Sequence, residues 1–145
     1  MMVSGLENIK KYIPQREPMM MVDRLLSHED RKSVSGFEIL ADNVFVDHGL
    51  FTEAGLLENM AQTAALSKGF EVIEKGEIPP LGFIGAVKAL RVHQLPQVGK
   101  VLQTEIIIKH EVLNASIVEA QVYCDSEIMA SCELKIFLNP QISES

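Results

Sequence analysis

The feature that most limits what this chain can become is the stretch from 53 to 75, EAGLLENMAQTAALSKGFEVIEK. Glu, Leu, Met, Ala, Gln and Lys dominate it, all strong helix formers, and no proline interrupts it. Thr52 precedes it as an N-cap, and Gly76 stands where a left-handed C-terminal stop belongs. A helix of that length runs about 35 Å. Leu57, Ala61, Ala64 and Ala65 lie on adjoining faces at spacings of three and four. Their small side chains let other backbone approach closely. On pattern alone the stripe suits two things equally: a helix gripped by a curved sheet, or a helix simply rich in alanine.

On both sides of this helix the apolar period is two rather than 3.6. Residues 5–13, GLENIKKYI, predict a short helix that ends before Pro14. Met19, Met21 and Asp23 alternate with Met20, Val22 and Arg24, as in a strand. Residues 33–43 predict another strand, with Gly36 marking a bulge. After the helix, 78–90 predicts a turn and a strand, and 91–99 a loop holding Pro96 and Gly99. Strands follow at 100–112, 115–125 and 127–138, joined at Leu113-Asn114 and Asp125-Ser126 by turns short enough for hairpins. The order is strands, one long helix, then antiparallel strands, which favours an α+β fold with the helix packed on one sheet. At 145 residues, with no repeat or linker, the expectation is one domain over 1–145.

Several classes of function are disfavoured. The formal charge of −7 argues against nucleic acid, whose phosphates need a positive field. No apolar run approaches the roughly 20 residues of a membrane span, and residues 1–15 lack a secretory leader's apolar stretch. The cytoplasm is the expected address. Cys124 and Cys132 form no CxxC and have no histidine at a zinc spacing, so the reading is two reduced thiols in neighbouring strands. No metal or organic cofactor is indicated.

Three segments, in order, resemble the 3-hydroxyacyl-acyl-carrier-protein dehydratases of the FabA/FabZ kind. IPQREPMMMVDRLL (13–26) is similar to that family's opening Leu-Pro-His-Arg-x-Pro, apolar strand and Val-Asp-Arg. GLLENMAQTAAL (55–66) is similar to the central-helix stretch Glu-Ala-Met-Ala-Gln. GFIGAVKALRVHQLPQVGKVL (82–102) is similar to the strand and loop ending in Pro-x-x-Gly-Asp-x-Leu. Within the family, the versions here resemble most the short dehydratase-like proteins of bacterial aryl-polyene pathways. The resemblance implies a hotdog fold, an antiparallel sheet wrapped around one long helix. It also implies dehydration of a 3-hydroxyacyl thioester, carried by acyl carrier protein or coenzyme A, to the trans-2-enoyl thioester. One departure stands out. The family places a catalytic histidine in Gly-His-Phe-Pro, fourteen residues before the helix glutamate. Here position 44 is valine, and the nearest histidine, His48, lies ten residues before Glu58.

Dehydration needs a base for the proton beside the carbonyl, an acid for the departing hydroxyl, and a donor for the enolate-like oxygen. Histidine suits the first task, since it titrates near neutrality. Free N–H groups at a helix start suit the third, which makes Ala54, Gly55 and Leu56 the candidate oxyanion donors. Glu58 is the candidate acid/base partner of His48, with Gln62 one turn on along the same face. Glu58 is alternatively a structural carboxylate, and His48 alternatively a surface turn residue. In the resembled family the two residues come from different subunits, which implies a homodimer or larger assembly, or pairing with a paralogous hotdog subunit. An acidic carrier would dock on basic residues, for which Lys68, Lys88, Arg91 and Lys100 are the candidates. A non-catalytic helper subunit and an acyl thioesterase are the competing functions, because the fold alone decides neither.

Overall fold

The computed structural model describes residues 3, 5–79 and 81–139. The elements in chain order are α1 (Leu6–Ile9), β1 (Arg24–Glu29), β2 (Lys32–Glu38), β3 (Val46–Asp47), β4 (Leu50–Phe51), α2 (Glu53–Glu74), β5 (Leu81–Val92), β6 (Val101–Val112), β7 (Ala115–Cys124) and β8 (Glu127–Asn139). Six strands form one sheet in the order β1-β2-β6-β7-β8-β5, and β3 and β4 form a small separate hairpin. Every described pairing is antiparallel. Strand β7 alternates buried and half-buried positions along its whole length, the period-two signature of a strand with one face on a core.

Helix α2 fills that face. Phe51, Leu56 and Met60 are fully buried with Leu102, Ile106, Ala120, Val122 and Leu134 from the sheet. Burying a side chain of this size contributes about 1.5–3 kcal/mol. The antiparallel layer around one long helix is the expected hotdog arrangement. The helix ends where Gly76 adopts φ +77°, its N–H reaching the Ile73 carbonyl while the Glu77 N–H reaches that of Val72. These two bonds are the Schellman stop that glycine permits without a Cβ penalty. No described helix is long and apolar enough to cross a membrane.

Cys124 and Cys132 are free and buried on adjacent strands β7 and β8. Burial pushes the Cys132 thiol up to about 11, which suits an inert core thiol beside the Met60 sulfur, 3.7 Å away.

Several local expectations are corrected. The first helix is a single turn, Leu6–Ile9, not the whole of 5–13. Residues 19–23 form no strand, and β1 begins only at Arg24. Met20, Met21 and Val22 are consecutively buried, which is incompatible with one wet face. The bulge sits on β1, between Leu25 and Ser27, whereas Gly36 stays in register opposite Arg24. A Cβ at Gly36 would stand 2.7 Å from the Arg24 side chain, so close packing rather than a bulge explains that glycine. Strand β5 extends through Val92 into the expected loop, and the β3–β4 hairpin falls where no strand was expected.

Candidate functional site

Residues 12–21 form a strap along α2, and what fastens it is polar. The Gln62 amide accepts the Met21 N–H at 2.6 Å and donates to the Met19 carbonyl at 2.7 Å. Asn59 donates to the Met21 carbonyl at 2.7 Å. Helix side chains thus satisfy the backbone that a neighbouring strand would otherwise bind, and this is why Met19–Asp23 reads as a strand in sequence without being one. At the other end of the strap Tyr12 packs edge-on to Phe70, its hydroxyl donating to Glu74 at 2.6 Å. Gly69 touches the strap so closely that a Cβ there would lie 2.0 Å from the Tyr12 carbonyl oxygen.

The remaining donor of Gln62 points at Glu58, with Nε2 to Oε2 at 2.8 Å. Gln62 is almost fully buried, and its three hydrogen bonds are all internal. It holds the Glu58 carboxylate and the strap together rather than offering a free donor to a ligand. Glu58 is half-buried and lines a cavity of about 550 Å³. The cavity lies between the alanine face of α2 (Ala61, Ala64, Ala65), the strap, and the inner side of the sheet at Ile106, Ile108, Val118 and Ile136. The small helix side chains create this space, since larger ones would fill it.

The helix start is left open by its own cap residue. The Thr52 hydroxyl donates to the Phe45 carbonyl at 2.7 Å and caps no helix N–H. The Leu56 N–H is spent on the Thr52 carbonyl at 3.0 Å, so of the three expected amides Ala54 and Gly55 lie outside that bond. Gly55 is pressed against two phenylalanine side chains: a Cβ there would stand 2.6 Å from the Phe51 ring and 2.8 Å from the Phe45 Cβ.

His48 occupies the turn of the β3–β4 hairpin, with φ +51° followed by Gly49 at +78°. Successive positive φ values match the twist of a tight hairpin. Its side chain is 92% exposed, with Nδ1 2.8 Å from Asp47. The cavity that Glu58 lines includes neither His48 nor Ala54, Gly55 or Leu56. One chain therefore presents the expected pair on separate surfaces, the carboxylate in a cavity and the imidazole on a projecting tip.

The four basic candidates also separate. Lys68 lines the cavity and lies 3.8 Å from Glu111. Lys100 is tied to Asp125 at 2.9 Å. Lys88 and Arg91 stand on β5, an outer strand, flanking a bulge where Ala89 takes φ +54°. Strand β5 carries one open edge of the sheet. It exposes Phe83 (56%), Ile84, Val87 and Leu90, an apolar edge of the kind proteins ordinarily cover.

Sequence reading missed the opposite face of α2. Asn59, Thr63 and Ser67 are buried there, facing Ser33, Ser35 and Thr104 of the sheet. Thr63 shares a hydroxyl bond with Ser35 at 2.7 Å, Ser67 with Ser33 at 2.7 Å, and Thr104 donates to Asn59 at 2.5 Å. His28 extends the chain to Ser33 at 2.7 Å and packs on Phe70. Burial draws the His28 pKa below its ordinary value, against the opposing pull of Glu71 and Asp30. The signal was present as polar residues at spacing four on a helix and spacing two on a strand. Only the pairing of the two reveals a satisfied interior ladder. Among the described residues no cluster of His, Cys, Asp or Glu is arranged to hold a metal.

A family model described as ApeP-like, ApeP dehydratase, matches residues 7–145 of this chain. The chain is 29% identical over 137 residues to the 3-hydroxyacyl-[acyl-carrier-protein] dehydratase FabZ of Pseudothermotoga lettingae, covering 91% of this chain and 94% of that one. It is 29% identical over 135 residues to FabZ of Clostridium botulinum strain Loch Maree, covering 89% and 92%. Among solved structures it is similar to the dehydratase heterocomplex ApeI:P from Xenorhabdus doucetiae, with a TM-score of 0.84, 18% identity and coverage of 92% and 91%. It is also similar to a hypothetical thioesterase of Streptococcus pneumoniae solved with coenzyme A, with a TM-score of 0.66, 13% identity and coverage of 83% and 88%. At these identities the structural likenesses establish the hotdog fold alone.

Proposed function

This chain belongs to the ApeP-like dehydratase family, and from that premise we propose that it removes water from a 3-hydroxyacyl thioester on a carrier protein, with Glu58 acting in the cavity and His48 supplied across a subunit interface. The observation that carries this is Glu58 itself, a half-buried carboxylate on the cavity wall beside Ala61 and Ala65 and held in place by Gln62. A carboxylate is not placed on such a wall without a partner or a task.

The three chemical roles divide as follows. The imidazole takes the proton from C2. The C3–O bond breaks as Glu58 delivers a proton to the departing hydroxyl, which leaves as water. The N–H groups of Ala54 and Gly55, at the positive end of α2, polarise the thioester carbonyl. A positioned acid or base contributes on the order of 100- to 10,000-fold. Lys88 and Arg91, exposed on β5, are the residues to which an acidic carrier would be drawn.

Two features support a second subunit. His48 stands on a projecting, solvent-exposed hairpin tip outside the Glu58 cavity, and β5 leaves an apolar sheet edge uncovered. A further copy of this chain would cover that edge and bring His48 toward a neighbouring Glu58. A paralogous hotdog subunit would do the same, an assembly type for which the ApeI:P heterocomplex is the precedent among similar structures.

Complementation tests the arrangement. His48→Ala and Glu58→Gln should each be inactive on 3-hydroxyacyl carrier protein. In a two-fold homodimer, unfolding and refolding them together should restore about a quarter of wild-type activity, because half the dimers regain one intact site. Enoyl product from the wild type without recovery on mixing would place both residues in one subunit. Turnover only after addition of a paralogous subunit would assign the chain to a heterocomplex. Release of free acid instead of enoyl product would make it a thioesterase.

A further inference from the structure

The sheet has a second unpaired edge, and its surroundings are the electrostatic reverse of the first. Strand β1 ends the sheet opposite β5, and no described strand pairs with its outer side. Beside it runs a groove of about 1080 Å³ that shares no lining residue with the Glu58 cavity. Its lining is largely apolar: Met20, Val22 and Leu25 are buried, whereas Leu6 (47%), Leu40 (55%) and Val44 (50%) are exposed. Large aliphatic side chains left in water around one depression mark a contact surface. The charge along the groove decides what fits it. Four carboxylates, those of Glu17, Asp23, Glu38 and Asp42, line it against one guanidinium, that of Arg24. Arg24 is spent on Asp23 at 2.6 Å, and Asp23 also accepts the Glu38 N–H at 2.8 Å. Glu17 is paired with Lys10 at 3.1 Å. Glu38 and Asp42, both exposed, are left with no ion pair among the described residues.

We propose that β1 and this groove receive an extended segment of a partner protein in which apolar and basic residues alternate, added to the six-stranded sheet as a further strand. The six residues of β1 span about 20 Å, and a strand laid along them sends successive side chains to opposite faces. One set covers the apolar lining, and the other reaches the carboxylates of Glu38 and Asp42. Main-chain bonds to β1 supply affinity in such an arrangement, and the alternating side chains supply specificity. The bulge between Leu25 and Ser27 interrupts the edge, which keeps an added strand short. Exposed ion pairs add little affinity, but like charges brought together reject a wrong partner. An acidic protein is therefore repelled from the β1 edge, whereas Lys88 and Arg91 stand on the β5 edge. The two edges sort partners by charge.

Fluorescence anisotropy of labelled peptides on the full chain tests this. An alternating Val-Lys octapeptide should bind, and alternating Val-Glu and Ser-Lys octapeptides should not. The double variant Glu38→Lys, Asp42→Lys should weaken the Val-Lys peptide about tenfold, because two attractions become repulsions. Leu40→Ser with Val44→Ser should weaken it comparably. Glu77→Lys, an exposed reversal outside the groove, should leave it unchanged. Substitutions at such exposed positions shift stability little. Bound Val-Lys peptide should slow hydrogen exchange at the β1 amides, and N-methylation of alternate peptide residues should abolish both binding and protection. Equal binding of the Val-Lys and Val-Glu peptides, or binding of neither, overturns the proposal. Binding that leaves the β1 amides unprotected does the same, as does a loss in Glu77→Lys as large as that at the groove. A molecular mass that rises with concentration in the wild type but not in Leu40→Asp also overturns it, because the occupant is then a second copy. Turnover enters none of these measurements, so their outcome is independent of the reading of Glu58.

Discussion

The two faces of α2 follow opposite rules. One carries Asn59, Thr63 and Ser67, buried and matched bond for bond with Ser33, Ser35, Thr104 and the strap. The other carries Glu58, Ala61, Ala65 and Lys68, half-buried and bordering a cavity. Polar groups on the first face bond to one another, to the sheet and to the strap, and so hold the fold. Small and charged groups on the second leave space and one positioned carboxylate, the group we propose acts on the substrate. Gln62 joins the two, one end of its amide on the strap and the other on Glu58.

The sharpest way to break this contrast is a pair of neighbouring substitutions. Glu58→Gln keeps an acceptor for Gln62, so kcat should fall about 100- to 10,000-fold while the melting temperature barely moves. Asn59→Ala should do the reverse. It strands the Met21 carbonyl and the Thr104 hydroxyl, costing about 3 kcal/mol in denaturant unfolding with little effect on kcat in the protein that remains folded. Equal losses of stability from both would dissolve the distinction. Gly69→Ala drives a methyl group into the Tyr12 carbonyl; a loss of about 2–3 kcal/mol is expected from such overpacking, read from the urea midpoint.

Gln62→Leu sharpens the comparison, because it should register on both readouts. Stability should drop by about 2 kcal/mol for the unpaired Met21 N–H and Met19 carbonyl. Activity should fall about tenfold through loss of Glu58 orientation, with KM moving less than kcat and with Gln62→Glu failing to rescue. The smallest effect concerns His28. Its folded-state pKa lies below the unfolded value of about 6.5, because burial disfavours the imidazolium. The folded state thus prefers neutral His28. Its contribution is fully present above about pH 6.5 and is lost as the pH falls through the lower folded pKa. His28→Phe should flatten that part of a stability-against-pH profile and leave the neutral-pH value nearly unchanged.

The alternation in β6, β7 and β8 and the long helix were legible from sequence because their periods repeat over many residues, so single exceptions do not hide them. The strap was not legible. Met19–Asp23 alternates well enough to imitate a strand, and only the amides of Asn59 and Gln62, about forty positions on, take its backbone out of the sheet. Glu58 could be singled out as a candidate mainly through its motif resemblance, and secondarily as a carboxylate on the mostly apolar stretch Leu56 to Leu66; its role is the one proposed above. The placement of His48 was not identifiable, since a histidine in Asp-His-Gly reads the same whether its turn projects into solvent or folds over a site.

By itself the sequence determined the inventory: a helix that must be buried, a layer of antiparallel strands to bury it, and a carboxylate on that helix with an amide one turn further on. Those follow from local periodicity and propensity, which depend on residues a few positions apart. The tertiary structure decided which face of the helix is filled and which is hollow, and which hydrogen bonds are already spent. It also decided that the imidazole and the carboxylate of one chain occupy separate surfaces. These are consequences of contacts between residues tens of positions apart, and no local pattern encodes which distant group will arrive to satisfy a given polar atom.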